Sequence, residues 1–174
     1  MEVKIRVARE SDLRRVQAIE VAAGTPFREV GMCTVADDPP PTLEALADYQ
    51  ARGCCWVAVD GSDQPVAFML VEEVDGAAHI EQVSVHPAWA RRRIGERLIR
   101  TAEDWAAANG MAAVTLTTFS DVPWNRPYYE RLGFQVLDEK ELSPGLRRTR
   151  MEEAERGLDR WRRVAMQRRL GDKP

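Results

Sequence analysis

The sequence predicts an α/β (α+β) fold, in which a mixed, twisted β-sheet is flanked by helices. The first observation is that strand and helix patterns follow one another in the order β-α-α-β-β-β-α-β-α-β. The second is an amphipathic helix pattern at mid-chain, whose apolar face is formed by Ile94, Leu98, Ile99, Ala102, Trp105 and Ala106. The third is length: 174 residues suffice for one domain with a core, so we expect residues 1–174 to form a single domain.

The N-terminal part predicts a strand and then a helix. Apolar and basic residues alternate over residues 3–7, which is typical of a strand. Ser11 or Asp12 can cap the helix that follows, and Gly24 can end it. Residues 25–40 show no clear period and are expected to be irregular.

The next part predicts a short helix and three strands that are joined by turns. Thr42 can cap the helix, which ends near Gly53. Acidic and glycine residues then mark the turns between apolar runs. The strands are predicted at 56–59, 66–71 and 80–85, with turns at 60–63 and 75–76.

The C-terminal part predicts two more strands, a short helix and a tail. Residues 114–117 are β-rich, 127–132 form a short helix, and 134–137 form a strand. The tail, residues 139–174, holds a helical pattern over 144–160 and then a stretch that can form a closing strand. Its many arginines suggest nucleic-acid binding, but acidic residues interleave with them, which favours a solvated helix.

A strand that leads through a basic turn into a helix dominates the middle of the sequence. Pro87 ends the strand because it lacks an N–H, and Asn109-Gly110 is a fitting helix end. The N–H groups at a helix N-terminus favour anions. Three consecutive arginines precede this helix: Arg91, Arg92 and Arg93. The turn therefore predicts a phosphate site.

Two motifs resemble those of the GNAT N-acetyltransferase superfamily. Val85-His86-Pro87 followed by Ala90-Arg91-Arg92-Arg93-Ile94-Gly95 is similar to its acetyl-CoA signature, Gln/Arg-x-x-Gly-x-Gly/Ala after the fourth strand. Tyr129-Glu130-Arg131-Leu132-Gly133-Phe134 is similar to its Tyr-x-x-x-Gly-Phe. Ala90 and Arg93 depart from the first motif, since Gln or Arg and then glycine are usual there. The resemblance covers residues 3–138 and implies a GNAT-type acyl-CoA N-acyltransferase fold.

The resemblance implies that acetyl-CoA is the co-substrate. Backbone groups of Val83, Ser84 and Val85 would contact its pantetheine arm. Asn125 is most simply a helix N-cap, although a family asparagine near this position contacts the cofactor. Glycine is usual at position 93 because the backbone approaches the pyrophosphate, and an arginine fits there if its backbone stays helical. The residues at the pyrophosphate would be Arg91, Arg92, Arg93, Ile94, Gly95 and Glu96.

Acetyl transfer to an amine requires a base and an acid. An alkylammonium has a pKa of about 10.4, so a carboxylate is needed to accept its proton near neutral pH. Glu81 lies two residues before Val83, where many family members carry an acidic residue, and is interpreted as that base. The resemblance assigns Tyr129 as the acid that protonates the thiolate. Tyr128 is its competitor, because adjacent helix residues point in different directions.

The charge distribution bears on the partners. Residues 20–50 hold six acidic residues and one arginine, a net charge of −5, compared with −3 for the whole chain. The resemblance implies that the first two helices and their loop line the acceptor side, where this charge would favour a small cationic amine, although an ordinary acidic surface explains the same charge. The negative chain predicts no nucleic-acid partner, and the lack of a long apolar run predicts no membrane helix. The sequence leaves open whether the chain forms a homodimer.

The histidines and cysteines bear on metal binding and on location. His79 and Glu81 share a strand face, but His86 is the only other histidine, so no metal site is expected. Adjacent cysteines are difficult to bridge, which indicates a reducing, cytoplasmic setting. The three cysteines are Cys33, Cys54 and Cys55.

Two functions remain in view. The first is an acetyl-CoA-dependent N-acetyltransferase that acts on a primary amine by direct attack in a ternary complex. The alternative is a non-catalytic acyl-CoA-binding module, which the departures at Ala90 and Arg93 suggest.

Overall fold

The computed structural model describes residues 3–171 and contains a seven-stranded sheet with helices. The strands are β1 (Lys4–Val7), β2 (Cys55–Val59), β3 (Pro65–Val74), β4 (Ala77–Val85), β5 (Ala113–Phe119), β6 (Gln135–Val136) and β7 (Arg163–Arg169). The α-helices are α1 (Leu13–Gly24), α2 (Cys33–Ala36), α3 (Leu43–Ala51), α4 (Ile94–Ala108), α5 (Arg126–Arg131) and α6 (Pro144–Glu155).

The sheet is mixed, as the sequence predicted. Its strand order is β1-β2-β3-β4-β5-β7-β6. β1–β2, β2–β3, β5–β7 and β6–β7 are antiparallel pairs, whereas β4 and β5 run parallel. A parallel pair requires a crossover connection, which α4 provides between these two strands. The predicted fold class is therefore confirmed.

The chain forms two compact units. Among the described residues, the first unit comprises 3–71 and 82–101, and the second comprises 72–81 and 102–171. The single domain over 1–174 stays a prediction, and its ends at 1–2 and 172–174 lie outside the described residues.

The core of the first unit packs the apolar face of α1 against β2 and β3. Helix α3 adds Leu46 to this cluster, and Thr42 caps that helix, as predicted, by accepting a hydrogen bond from the N–H of Ala45 at 3.2 Å. The buried members are Ala8, Leu13, Val16, Ile19, Leu46, Cys55, Val57, Val59, Phe68 and Leu70.

The predicted cap at the start of α1 is wrong, whereas the predicted end of the helix at Gly24 is confirmed. Neither Ser11 nor Asp12 caps the helix with its side chain; a 3-10 turn at Glu10–Asp12 leads into it. The Asp12 carboxylate instead accepts hydrogen bonds from Arg6, the shorter at 2.6 Å, and from the N–H of Arg9 at 2.7 Å. Burial alone would raise the pKa of Asp12, but these donors and the arginine charge lower it.

The stretch after α1 is also more regular than predicted. Gly24 has a helical φ of −69°, so the chain continues into a 3-10 helix at Thr25–Val30. Gly31, at φ 78°, ends that helix, because glycine adopts left-handed backbone without strain. The short helix α2 follows. The irregular composition of this stretch concealed two short helices with little apolar period.

The tail belongs to the sheet of the second unit. β7 pairs with β5 over seven residues, from Ala113 opposite Arg169 to Phe119 opposite Arg163. It also pairs with β6, and so lies between the two. α6, which precedes β7, is mostly exposed but buries Leu146 and Glu153. The interpretation of a fully solvated helix is therefore wrong at these two positions.

Candidate active site

Strand β4 ends where the sequence placed its proline. The N–H of His86 donates to the carbonyl of Val66 at 2.9 Å, and a 3-10 turn at Pro87–Trp89 follows. The His86 ring nitrogen Nδ1 accepts from the N–H of Ala88 at 3.2 Å and so caps this turn. The chain then crosses the basic turn and enters α4, a helix of 15 residues.

The backbone of the basic turn differs from the expectation. Arg91 has φ 63° and Arg93 has φ 57°, both in the left-handed region. The condition under which the sequence analysis accepted an arginine at position 93, a helical backbone, is therefore not met. Glycine adopts this region freely, whereas a residue with a Cβ is strained there by about 1–2 kcal/mol. The structure thus gives a second reason, besides close approach, for the glycine that is usual at this position.

The turn and the first turn of α4 are suited to an anion. The guanidinium of Arg92 lies over the ring of Trp89, 4.6 Å from its centroid, which holds one of the three arginines in place. Within residues 3–171, none of Arg91, Arg92 or Arg93 forms an ion pair with a carboxylate. Their charge adds to the N–H groups at the start of a long helix, which is the chemistry that a pyrophosphate requires.

The other predicted cofactor-binding residues of this segment, Ile94, Gly95 and Glu96, lie in the first turn of α4. Ile94 is buried, and Gly95 follows it in the first turn. The carboxylate of Glu96 is held by Arg100 one turn later, at 2.6 Å, so part of its charge is compensated. An anion at the helix start therefore meets less repulsion from Glu96 than the sequence alone indicates.

The end of β4 holds a polar contact that sequence reasoning missed. The hydroxyl of Ser84 donates to Glu20 Oε2 at 2.6 Å, and the amide of Gln82 donates to both oxygens of Glu20. The Ser84 side chain is therefore engaged, whereas the pantetheine contacts predicted for Val83, Ser84 and Val85 involve only backbone groups and stay a prediction. Glu20 was counted only as one acidic residue of a charged segment.

Glu81 lies within the electrostatic reach of other carboxylates of the second unit. Its side chain is 42% exposed and lies 3.8 Å from the Nε2 atom of the buried His79. Partial burial raises the pKa of Glu81, and the charges of Glu72 and Glu153 raise it further, while Arg156 lowers it. Because the carboxylate is partly exposed, solvent screening limits this shift. A carboxylate with a raised pKa is a stronger base than an ordinary glutamate.

Tyr129 is held in an aromatic cluster on α5. Its ring centroid lies 5.4 Å from that of Tyr128 and 5.9 Å from that of Phe134. Burial of the hydroxyl raises the pKa of Tyr129, as does Tyr128, whereas Arg163 lowers it. The net rise makes the tyrosine a weaker acid than an exposed one. Phe134 of the predicted motif therefore has a role as packing partner of the candidate acid.

Asn125 lies at the N-cap position of α5 but does not cap with its side chain. Its backbone carbonyl accepts from the N–H groups of Tyr128 and Tyr129. Its side-chain amide donates to the hydroxyl of Thr118 at 2.7 Å. The Asn125 Oδ1 atom is buried without a partner in the described part of the chain. An orphaned buried acceptor fits a donor from a ligand, as the resemblance implies for this asparagine.

An ion pair from the tail connects the environments of Glu81 and Tyr129. Glu153 of α6 accepts from Arg163 through both oxygens at 3.0 Å, from Arg150 at 2.6 Å, and from the hydroxyl of Thr117. Burial would raise the pKa of Glu153, but these arginines lower it below the ordinary value. Neither tail residue was a candidate from sequence. The only signal was an acidic residue spaced one turn from Arg150 ahead of a strand pattern.

The described side chains and helices also bear on metal binding and on membrane insertion. Within residues 3–171, no group of three or more His, Cys, Asp or Glu side chains is arranged to hold a metal ion. His79, which the sequence paired with Glu81, directs Nδ1 to the hydroxyl of Thr115 at 3.0 Å. None of the described helices is long and apolar enough to cross a membrane.

Comparison with known families gives one match that covers most of the chain. A family model described as "Acetyltransferase (GNAT) family" matches residues 6–134. This range includes β4, the basic turn, α4, and the Tyr-x-x-x-Gly-Phe motif that ends at Phe134.

Solved structures with the same fold share little sequence with this chain. PaiA N-acetyltransferase from Thermoplasma acidophilum, in complex with coenzyme A, has a TM-score of 0.68 at 14% identity, over 97% of this chain and 99% of that one. The ribosomal-protein-S18-alanine N-acetyltransferase from Escherichia coli has a TM-score of 0.67 at 15% identity, over 99% of this chain and 97% of that one. N-acetylglutamate synthase from Neisseria gonorrhoeae, in complex with coenzyme A and N-acetyl-glutamate, has a TM-score of 0.70 at 19% identity, over 98% of this chain and 35% of that one.

Proposed function

Because the chain belongs to the acetyltransferase (GNAT) family, we propose that it transfers the acetyl group of acetyl-CoA to a primary amine of a small, cationic acceptor. Membership of the family and an acetyl-CoA-dependent N-acetyltransferase were predicted from two motifs, and both predictions are confirmed. The observation that carries the proposal is the strand–basic turn–helix unit formed by β4, Arg91–Arg93 and α4. The reaction is a direct attack by the amine in a ternary complex.

The first unit would hold acetyl-CoA. The N–H groups at the start of α4, at Ile94, Gly95 and Glu96, point toward an anion, and the side chains of Arg91–Arg93 supply positive charge. Backbone groups of Val83–Val85 would bind the pantetheine arm by hydrogen bonds. In the second unit, the orphaned Oδ1 of Asn125 supports its assignment as a cofactor contact. Solved structures of this fold with coenzyme A support acetyl-CoA as the co-substrate.

Glu81 would accept the proton of the attacking ammonium, directly or through a water. The raised pKa of Glu81 makes its carboxylate a stronger base toward the ammonium, and solvent screening of the partly exposed group limits the rise. The negative charges of Glu72 and Glu153 contribute to this rise in the pKa of Glu81. A neutral glutamine at position 81 could not accept the proton.

Tyr129 would donate a proton to the departing sulfur. An ordinary tyrosine is a weaker acid than a thiol by an amount that corresponds to about 2 kcal/mol. Because the pKa of Tyr129 is raised further, transfer to a fully formed thiolate is unfavourable. The proton therefore moves as the C–S bond breaks, when the sulfur is held against the hydroxyl. Tyr128 packs on Tyr129 and would orient its ring.

The acidic segment supports a cationic acceptor. Residues 20–50 carry a net charge of −5, which attracts an ammonium through the field of the protein. The solved relatives named above act on acceptors as different as a protein's alanine and glutamate, so the fold itself selects none. The absence of a nucleic-acid partner, the cytoplasmic location and a homodimer stay predictions.

Thiol release from acetyl-CoA over a panel of amines tests the proposal. We expect coenzyme A to be released only when an amine is present, with diamines and polyamines the best acceptors and neutral amino compounds the poorest. Binding of acetyl-CoA without release over the whole panel would favour the alternative, a non-catalytic acyl-CoA-binding module. Tyr129→Phe is the matched control, because it keeps the ring in the aromatic cluster and removes only the hydroxyl.

A further inference from the structure

The carboxylate of Glu20 has no part in the steps above, yet the structure holds it tightly. Glu20 lies on α1 and is half-buried. Its Oε2 accepts from the Ser84 hydroxyl at 2.6 Å and from the Gln82 amide at 3.2 Å, and its Oε1 accepts from the same amide at 3.0 Å. Gln82 also donates to the Ser84 oxygen at 3.1 Å. Three hydrogen bonds therefore fix both carboxylate oxygens against the end of β4.

The charge of this carboxylate is not compensated. Ser84 and Gln82 are neutral donors, and no Lys, Arg or His among residues 3–171 forms an ion pair with Glu20. Burial raises the pKa of Glu20, and the nearby charge of Asp38 raises it too, while the two donors lower it. A carboxylate that is partly withdrawn from water, with only neutral donors around it, gains from pairing with a cation.

The remaining hydrogen-bonding capacity of Glu20 suits a ligand. An ionised carboxylate has about four lone-pair sites. The Gln82 amide has only two N–H groups for its three acceptors, so this amide and the Ser84 hydroxyl leave at least one lone-pair site of the partly exposed carboxylate for a further donor. An ammonium would supply both the missing donor and the missing charge.

We propose that Glu20 is a specificity-determining residue that binds a cationic group of the acceptor other than the amine that reacts. The inference rests on the proposed function and names the substrate class more closely, as diamines or polyamines with a second positive charge. A second ammonium that stays protonated keeps its attraction to Glu20 throughout the reaction.

A matched pair of variants separates a direct contact from the general field. Glu20→Gln keeps an oxygen that can accept from Ser84 but removes the charge. Glu44→Gln removes the same charge from the same acidic segment, at an exposed residue of α3. The acceptors are 1,4-diaminobutane and 1-aminobutane, which have the same carbon chain and differ in the second amine.

For 1,4-diaminobutane, we expect Glu20→Gln to raise KM by about tenfold or more, the effect of a lost charge-assisted hydrogen bond. The KM for 1-aminobutane and the Kd for acetyl-CoA should change little, and Glu44→Gln should behave like wild type. A merely structural Glu20 would instead affect both amines alike. Equal effects on both amines, or equal effects of the two variants, would overturn the proposal.

Calorimetric titration of 1,4-diaminobutane onto the protein gives a second readout that needs no turnover. If wild type releases no coenzyme A with any amine, the proposed function fails, while diamine binding that is lost in Glu20→Gln would still support the Glu20 site. If Glu20→Gln does not fold, Glu20→Asp and Glu44→Asp replace the pair, since only the first withdraws a carboxylate from the proposed contact, and wild type can still refute the site. Its preference for 1,4-diaminobutane over 1-aminobutane should shrink as salt rises, and an absent preference at low salt would refute the site.

Discussion

Replacing Arg93 by glycine should stabilise the protein while weakening its hold on acetyl-CoA. Arg93 immediately precedes α4, and its carbonyl accepts from the N–H of Arg97 at 3.2 Å. Its φ of 57° lies in the left-handed region. The residue therefore combines a strained backbone with a positive charge at the start of a helix.

The expected gain in stability follows from two opposing effects. Relief of the left-handed strain in the folded state contributes about 1–2 kcal/mol. Glycine also increases the freedom of the unfolded chain, which costs about 0.5–1 kcal/mol. The net expectation is that the free energy of unfolding rises by about 1 kcal/mol, which corresponds to roughly 2–4 °C in Tm for a chain of this size.

Acetyl-CoA affinity should change in the opposite direction. The lost guanidinium removes an attraction to phosphate that is partly screened by water, so we expect Kd to rise a few-fold at low salt. The deficit should shrink at high salt. Tighter binding by the glycine variant at every salt concentration would show that Arg93 hinders the cofactor.

Arg92→Gly is the matched control. It removes the same charge from the same turn, but Arg92 has no left-handed backbone and stacks on Trp89. We expect no gain in stability from it. Chemical denaturation of the three proteins decides the matter, and the reasoning is refuted if Arg93→Gly is no more stable than wild type or equals Arg92→Gly.

The remaining predictions concern the candidate catalytic groups and the tail. Glu81→Gln should lower kcat most at low pH and less as pH approaches the pKa of the amine, in a pH–rate profile; an equal loss at all pH values argues against a base. Tyr129→Phe should abolish most turnover with acetyl-CoA binding retained, and Tyr128→Phe should do less; the reverse order would reassign the acid. Glu153→Gln should destabilise by about 3 kcal/mol, as for a broken buried ion pair, whereas exposed Glu152→Gln should not. Because the pKa of Glu153 is lowered, wild type should lose this contribution as pH falls below the ordinary glutamate value.

The fold followed from the sequence wherever the apolar period was strong. α4 and β5 lie within a residue or two of their predicted positions because α4 buries one face in a core and β5 is buried along almost its whole length. Thr42 and Gly53 were correct because their roles are set by local backbone geometry. These features depend on neighbours in the chain, which the sequence shows directly.

What the sequence could not show depends on contacts between distant segments. Asp12 was interpreted as a cap, but Arg6 binds its carboxylate. Glu20 was one acid among six until Ser84 was placed against it, 64 positions away. The tail was separated from the predicted fold, although Glu153 and Arg163 form a buried pair there. No period or motif encodes such pairs.

The backbone conformation at position 93, where glycine is usual, is a further feature that the sequence could not show. Sequence reasoning considered the space that Arg93 needs near the pyrophosphate and the charge that it brings there, but not its backbone conformation. The left-handed backbone at Arg91 and Arg93 could not be deduced, because two arginines in that conformation contradict their own preferences. The left-handed conformation at these two positions is therefore imposed by the surrounding turn and not by the residues' own preferences.

Transfer of a labelled acetyl group tests the central claim most directly. The protein is incubated with acetyl-CoA that carries a deuterated acetyl group and with 1,4-diaminobutane, and the amine is then analysed by mass spectrometry. The account predicts labelled N-acetyl diamine in equal amount to the coenzyme A released, and loss of both in Glu81→Gln near neutral pH. Release of coenzyme A with labelled acetate and no acetylated amine, for this and every other amine tried, would contradict it.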